Sequence, residues 1–436
     1  MWQHTSVKWP ISLSMTTDAL SVVWRAAEVL HANAQTTQRT IVDVTRLAKA
    51  YGFEAAVLPQ WDAIVCRTRP LNDPQAHWQT ALLQARPTGV DMHKVARTNQ
   101  LIDQVCADPN RHAVAQIDVV SESLATISTY APSSHLRFVL MAGAGAVALG
   151  VIFGVTDPAT LAMIFMAAAL GAVARRLLAK ASDNLLIQPF VAALIAGLIG
   201  GYSQHAFSGD GLPFVEIAPC MILVPGAHIL NAALDLVRGR LGLGMNRVVY
   251  CLLIFLAISV GLILGLSLMN ASLTAGMSTT PTPLWLDMIC AGIAVAAFGA
   301  FFSLPWRLLA APVIVGMLCH GSRWVVIDQG AGLVTGALVA CLMAGTVMTL
   351  LSHRLRLPFA ALAFASVVSM MPGIFVFRFA DGLINVYSAG HEATLAMLTA
   401  VFSDGTATLL IVLVMTFGLI FPKMLIEGLW LKDQKP

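Results

Sequence analysis

Two proline-glycine pairs, Pro225-Gly226 and Pro372-Gly373, stand inside long apolar segments of this 436-residue chain. Proline lacks an N–H and clashes with the preceding helical turn, and glycine lowers helix propensity. Each pair therefore frees backbone carbonyls and amides in mid-segment. Lipid cannot satisfy such groups, so they must face protein, water or a ligand. After the first pair come His228, Asn231 and Asp235, whose spacing sets them on one helix face. Histidine and aspartate can take up or relay protons, and asparagine can orient a carboxylate or an amine. After the second pair come Arg378 and Asp381, three apart and so able to pair. Arg378 could instead clamp a carboxylate bidentately. Asp404, in Phe402-Ser-Asp-Gly-Thr-Ala-Thr, puts a carboxylate among hydroxyls early in an apolar run. An acid within a membrane is costly and marks a proton or cation site.

These residues define an expected site. Pro225, Gly226, His228, Asn231, Pro372, Gly373 and Arg378 would bind substrate, and Asp235 and Asp404 would couple transport to a proton or another ion. The competing readings are structural kinks at the prolines, headgroup-level positions for Asp235 and Arg378, and an interfacial loop at Asp404. Glu216 reads as an outer-surface residue. His205, His320, His353 and His391 fall near span ends and read as solvated.

The elements that must position these residues follow from composition. The chain is 57% apolar and only 11% charged, against roughly a quarter charged in soluble domains. Residues 1–135 are ordinary in polarity, and apolar blocks repeat from Leu136 to Lys423. The first part alternates helical and strand-like periods: helices over 17–34 and 36–51, short strands at 55–58, 63–67 and 78–86, then helices over 91–108 and 113–128. That is a small α+β domain of order αα-βββ-αα. Its start, Met1-Trp-Gln-His-Thr-Ser-Val-Lys, has no apolar run of signal-peptide length, so the domain is expected in the cytosol.

Runs of about 20 apolar residues, the length a bilayer core requires, fall at 138–154, 159–177, 185–203, 214–236 and 248–269. After a polar linker, 270–283, they resume at 284–303, 309–326, 329–351, 359–380 and 395–421. Ten spans divide into five and five, 136–270 and 284–423. The two proline-glycine pairs, 147 positions apart, then occupy the fourth span of each half. An odd span count inverts the second half, and inverted repeats with matching broken helices are the architecture of secondary transporters. Loop charge agrees: thirteen Lys and Arg fall on the inner side with the N-terminal domain inside, and two, Arg323 and Arg378, on the outer side. Both termini are therefore expected in the cytoplasm.

The chain excludes several other activities. Seven cysteines are scattered without a CxxC, so neither a disulfide framework nor a zinc site is expected. No P-loop, Gly-rich phosphate motif or nucleophile elbow occurs, which argues against ATP drive and against an enzyme. No cofactor and no nucleic-acid partner are implied.

Three stretches carry a resemblance: residues 26–41 with Leu47-Ala-Lys-Ala-Tyr-Gly, residues 92–103, and Leu223-Val-Pro-Gly-Ala-His-Ile-Leu-Asn-Ala-Ala-Leu-Asp-Leu-Val-Arg-Gly. The chain resembles the bacterial threonine/serine exporter family, the last stretch being similar to its Pro-Gly…Asn…Asp…Gly signature. Arg356-Leu-Pro and Met371-Pro-Gly resemble the smaller partner module, so both modules look fused here. The resemblance implies a secondary exporter of threonine and serine across the inner membrane, with proton antiport expected. The alternatives are a dicarboxylate exporter such as for succinate, a membrane receptor or regulator, and a gated channel. Partners would be a small-molecule substrate, the coupling ion and the lipid bilayer, with room for a homo-oligomer.

Overall fold

The structure, a computed structural model, describes residues 13–107, 117–207, 211–273 and 282–433. Most of the expected linker 270–283 and the start of the helix expected over 113–128 lie outside them, as do Met1–Lys8 and Lys435. Contacts divide the chain into two units, 1–89 with 93–131, and 90–92 with 132–436.

The first unit has the expected order. Helices α1 (Leu13–Ala32) and α2 (Thr37–Ala50) precede strands β1 (Phe53–Pro59), β2 (Ala63–Pro70) and β3 (Gln79–Gln84), and α3 (Met92–Ala107) and α4 (Ile117–Ser128) follow. The strands form one antiparallel sheet in the order β1-β2-β3, with Val57 opposite Cys66 and Cys66 opposite Ala81. Alternate residues of the sheet point inward, so Phe53, Val57, Ile64 and Cys66 join Leu20, Val23, Ala27 and Leu30 of α1 in the core. Asp43 is buried on α2 between Arg39 (2.7 Å) and Arg46 (3.2 Å). Burial raises its carboxyl above the ordinary value, and both arginines oppose the rise.

In its described residues the second unit has helices and no strand. Among the described residues, eight helices are long and apolar enough to cross a membrane: α5 (His135–Ile152), α6 (Pro158–Ala181), α7 (Ile187–Ala206), α10 (Leu241–Leu268), α11 (Leu284–Phe301), α12 (Ala310–Asp328), α13 (Leu333–Leu355) and α16 (Leu395–Asp433). Two further spans are broken. In the first, α8 (Pro213–Met221) and α9 (Gly226–Val237) meet at 50°. In the second, α14 (Phe359–Val367) runs through a 3-10 turn, Val368–Met370, into α15 (Gly373–Ala389), with a bend of 70°. Counting each bent pair once gives ten spans.

Local chemistry sets the ends. Asp157 caps α6 by accepting from the Thr160 amide at 2.8 Å, with Pro158 in the first turn. Arg356 adopts a left-handed φ of 58° that stops α13 before Leu357-Pro358. α16 runs further than expected, to Asp433 rather than 421.

Contacts recur between the two sets of five spans. α6 packs on α5 and α7 as α12 packs on α11 and α13. α8 lies on α5, α6 and α7 as α14 lies on α11, α12 and α13. The closest partnerships are α7 with α10 and α13 with α16, and both run through glycine. A Cβ on Gly265 would stand 2.5 Å from the Leu194 carbonyl and 2.9 Å from the Gly197 Cα. One on Gly345 would stand 2.7 Å from the Gly418 carbonyl. Helices in lipid associate by close backbone approach at small residues, because lipid tails are as apolar as leucine.

The obstacle at Gly265 is backbone, which cannot rotate away. Gly265→Ala is expected to destabilise the protein by about 1–3 kcal/mol, the usual cost of overpacking. A lowered midpoint of thermal unfolding in detergent would show it, and an unchanged midpoint would contradict the packing described.

Candidate functional site

Both breaks are built alike. Pro225 has φ −54° and ψ 46°, and Pro372 has φ −78° and ψ 39°. The amide of Gly226 donates to the Val224 carbonyl at 2.7 Å, and that of Gly373 to the Met371 carbonyl at 2.8 Å. Each proline thus sits at the centre of a three-residue turn and caps the second half-helix of its span. Residues 224–228 and 371–374 are buried, so protein covers the freed backbone groups.

The two glycines hold the breaks together. A Cβ on Gly226 would lie 1.8–2.2 Å from the Phe364 ring of α14, and one on Gly373 would lie 2.7 Å from Met221 of α8. Each break glycine therefore presses on the first half-helix of the other broken span. The broken spans cross where both are unwound.

Around this crossing the expected residues separate into groups. His228 and Asn231 are buried on α9, and the His228 ring meets Tyr250 of α10 edge-on, with centroids 5.3 Å apart. Asp235, one turn further, is buried but already held: Arg247 Nε lies 3.1 Å from one oxygen and Arg240 Nη1 3.6 Å from the other. Arg247 belongs to α10 and is fully buried, not in an inner loop as its span boundary suggested. Asp235 so ties α9 to α10 across the turn at Gly239.

Arg378 does not pair with Asp381, which instead accepts from Asn385 at 2.8 Å. It crosses from α15 to Asp404 of α16, with Nε 3.1 Å from Oδ2. A residue assigned to substrate and one assigned to coupling are thus one ion pair. Its carboxylate is nearly buried, at 9% exposed, while the arginine keeps 25%. Arg378 lies six residues beyond Pro372 and Asn231 six beyond Pro225, so the two occupy matching places behind their breaks.

Two surface expectations fail. Glu216 is fully buried on α8, where one oxygen accepts from Gln204 at 3.2 Å and the other has no hydrogen-bond partner. Gly200 on α7 leaves the room its side chain occupies. His320 is also fully buried, and its Nδ1 pairs with Asp287 of α11. Sequence reasoning passed over Asp287 although it stands inside the expected span 284–303, where an acid is itself a signal.

A third cluster gathers near the C-terminal ends of α9, α13 and α16. Glu427 of α16 pairs with Arg238 at the end of α9 (2.5 Å), with Lys423, and with His353 of α13 at 3.7 Å. A small cavity beside the first break is lined by Ala168, Gly171, Arg175, Ile222, Leu223 and Phe301, and the Arg175 guanidinium lies 4.4 Å from the Phe301 ring centre. Among the described residues no three His, Cys, Asp or Glu side chains stand together as a metal site.

The model described as "Putative threonine/serine exporter" matches residues 21–269, more than half of the chain, and "Threonine/Serine exporter, ThrE" matches 287–425. The chain belongs to the threonine/serine exporter family. Both modules of the family are present in one polypeptide. Among curated relatives it is similar to the "Probable threonine/serine exporter" of Mycobacterium tuberculosis, 24% identical over 380 residues, which cover 83% of this chain and 69% of that protein. No solved structure matches the chain. Family membership makes it an exporter of amino acids with many membrane passes.

The crossing itself is open to test. Gly226→Ala puts a methyl group into the Phe364 ring and is expected to abolish transport. Phe364→Leu in the same protein makes room, and a partial return of threonine counterflow is expected. No return would detach the defect from this contact.

Proposed function

We propose that the protein exports threonine and serine as zwitterions across the inner membrane, in exchange for protons. The observation that carries this is the Arg378–Asp404 pair beside the second break. A free amino acid brings one carboxylate and one ammonium on neighbouring atoms, and this pair offers the complement to each. The substrate carboxylate would replace Asp404 on Arg378, forming charge-assisted bonds, and the ammonium would rest on Asp404. The start of α15 at Gly373 adds the positive end of a helix dipole, and that of α9 at Gly226 does the same from the first break. Asn231, at the matching place in the first half, would orient the substrate's polar end with His228.

The same pair argues against a dicarboxylate. A second carboxylate would have to lie against Asp404, and two like charges 4 Å apart repel by about 4 kcal/mol at an effective dielectric of 20. Asp235 fits a structural tie better than a carrier, because two arginines already hold it.

Alternating access follows from an inverted repeat. An odd number of spans per half, paired breaks and recurring contacts support that reading, and the loop charges favour cytoplasmic termini.

Counterflow of labelled threonine in proteoliposomes tests the proposal. Threonine and serine are expected to exchange and succinate is not. Arg378→Ala and Asp404→Asn are each expected to lower exchange at least tenfold. Succinate exchanging as well as threonine would overturn the zwitterion reading, and so would full exchange in both variants.

A further inference from the structure

The buried pair of Asp287 and His320 has no part in the substrate site, and its geometry is that of a proton acceptor. Both side chains are almost wholly enclosed, at 4% and 0% exposure. Nδ1 of His320 meets a carboxylate oxygen of Asp287. An imidazole that donates Nδ1–H to a carboxylate is fixed in the tautomer with a bare lone pair on Nε2. Here Nε2 is buried and, among the described residues, has no hydrogen-bond partner. A base held in that state inside a membrane domain is poised to take a proton, and the adjoining carboxylate stabilises the imidazolium that results.

The surroundings are sparse in other charges. On α12 itself, Arg323 lies one turn from His320 and within electrostatic reach of both members of the pair. Cys319 of α12, Cys290 of α11 and Cys341 of α13 are the neighbouring thiols. α14, which packs on both α11 and α12, carries no titratable residue over 359–367. α5 runs antiparallel to α11, as its Gly145 contact with Ala297 and the Thr282 bond to Val151 show. It meets the Asp287 end with Leu149, Gly150, Val151 and Ile152, which do not titrate either.

The pair also has a mechanical route to the breaks. Gly316 stands one turn before His320 on the same face of α12. A Cβ there would lie 2.4 Å from Val295 of α11 and 3.3 Å from the Ser366 carbonyl of α14, the half-helix that leads into Pro372. Any change in how α11 and α12 sit at His320 is felt one turn away by the second broken span.

We infer that Asp287 and His320 form the proton-binding site of the transport cycle, separate from the substrate site at Arg378 and Asp404. This rests on the reading of the chain as a proton-driven exporter. One proton passes from water on the side to which the pair is open onto Nε2, and leaves from Nε2 to water on the other side. No other bond forms or breaks.

The test uses the full-length protein in proteoliposomes, with two assays on each variant. Threonine counterflow at equal pH needs the substrate site alone, whereas accumulation against a gradient, driven by an imposed pH difference, needs the proton site as well. His320→Gln and Asp287→Asn are expected to keep counterflow within about twofold of wild type and to lose pH-driven accumulation at least tenfold. A second readout needs no substrate. Trp324, four residues beyond His320, donates to the Thr282 carbonyl, and a protonated imidazole quenches a nearby indole. The difference in fluorescence between wild type and Trp324→Phe should show a pH-dependent step in detergent that His320→Gln abolishes. Undiminished accumulation in both variants would overturn the inference, as would loss of counterflow in both, or a fluorescence step that survives His320→Gln. A wild type that exchanges no amino acid would instead refute the exporter reading, and the fluorescence step would still decide whether the pair binds a proton.

Discussion

Unwound backbone has no solvent inside a bilayer, and that constraint organises the membrane unit. Pro225 and Pro372 release carbonyls and amides midway along two spans, where lipid offers no hydrogen bonds. The molecule answers by crossing the two breaks, so that each covers the other. Gly226 admits the Phe364 ring and Gly373 admits Met221. A side chain at either glycine would hold the broken spans apart and expose what they shield. The surrounding helices then serve the crossing: α7 against α10 and α13 against α16 approach at backbone distance through Gly197, Gly265, Gly345 and Gly418. Two tightly packed pairs flank the crossing, and each contributes a wall to it.

Charge is distributed with the same economy. Asp235 holds two arginines, Asp404 holds one, and Glu427 collects Arg238, Lys423 and His353. Burying a carboxylate alone costs far more than burying it with a partner. Exceptions remain at Glu216 Oε2, at His320 Nε2 and at the two Nη atoms of Arg247, each enclosed without a hydrogen bond among the described residues. A transporter has use for such exceptions, since a group already satisfied has nothing to exchange.

Much of this was legible before any coordinates. Ten spans follow from apolar runs as long as a bilayer is thick, and the breaks follow from what proline and glycine do to a helix. The N-terminal order αα-βββ-αα follows from the change of period between 51 and 63. Pairings were not legible, and the reason is physical. Arg378 is three residues from Asp381 along one helix, yet its partner lies across a helix-helix contact that no local spacing encodes. His320 stands near the end of an apolar run, and nearness to an end does not say which face of a helix its neighbours cover. Arg247 looked like a loop residue because α10 begins earlier than its apolar stretch. Asp287 alone carried a readable mark, an acid inside a span.

One feature of α16 bears on how the two faces of the membrane communicate. Asp404 and Glu427 are 23 residues apart on this single helix, about 35 Å at 1.5 Å per residue, which matches the roughly 30 Å of a hydrocarbon core. Asp404 is tied to the second broken span through Arg378, and Glu427 to the first through Arg238. Each broken span is thus leashed to an opposite end of the same rod. On the alternating-access reading proposed above, a tilt of this helix that slackens one leash would draw on the other. Exclusion between the two openings would then follow from leverage rather than from a signal passed across the membrane.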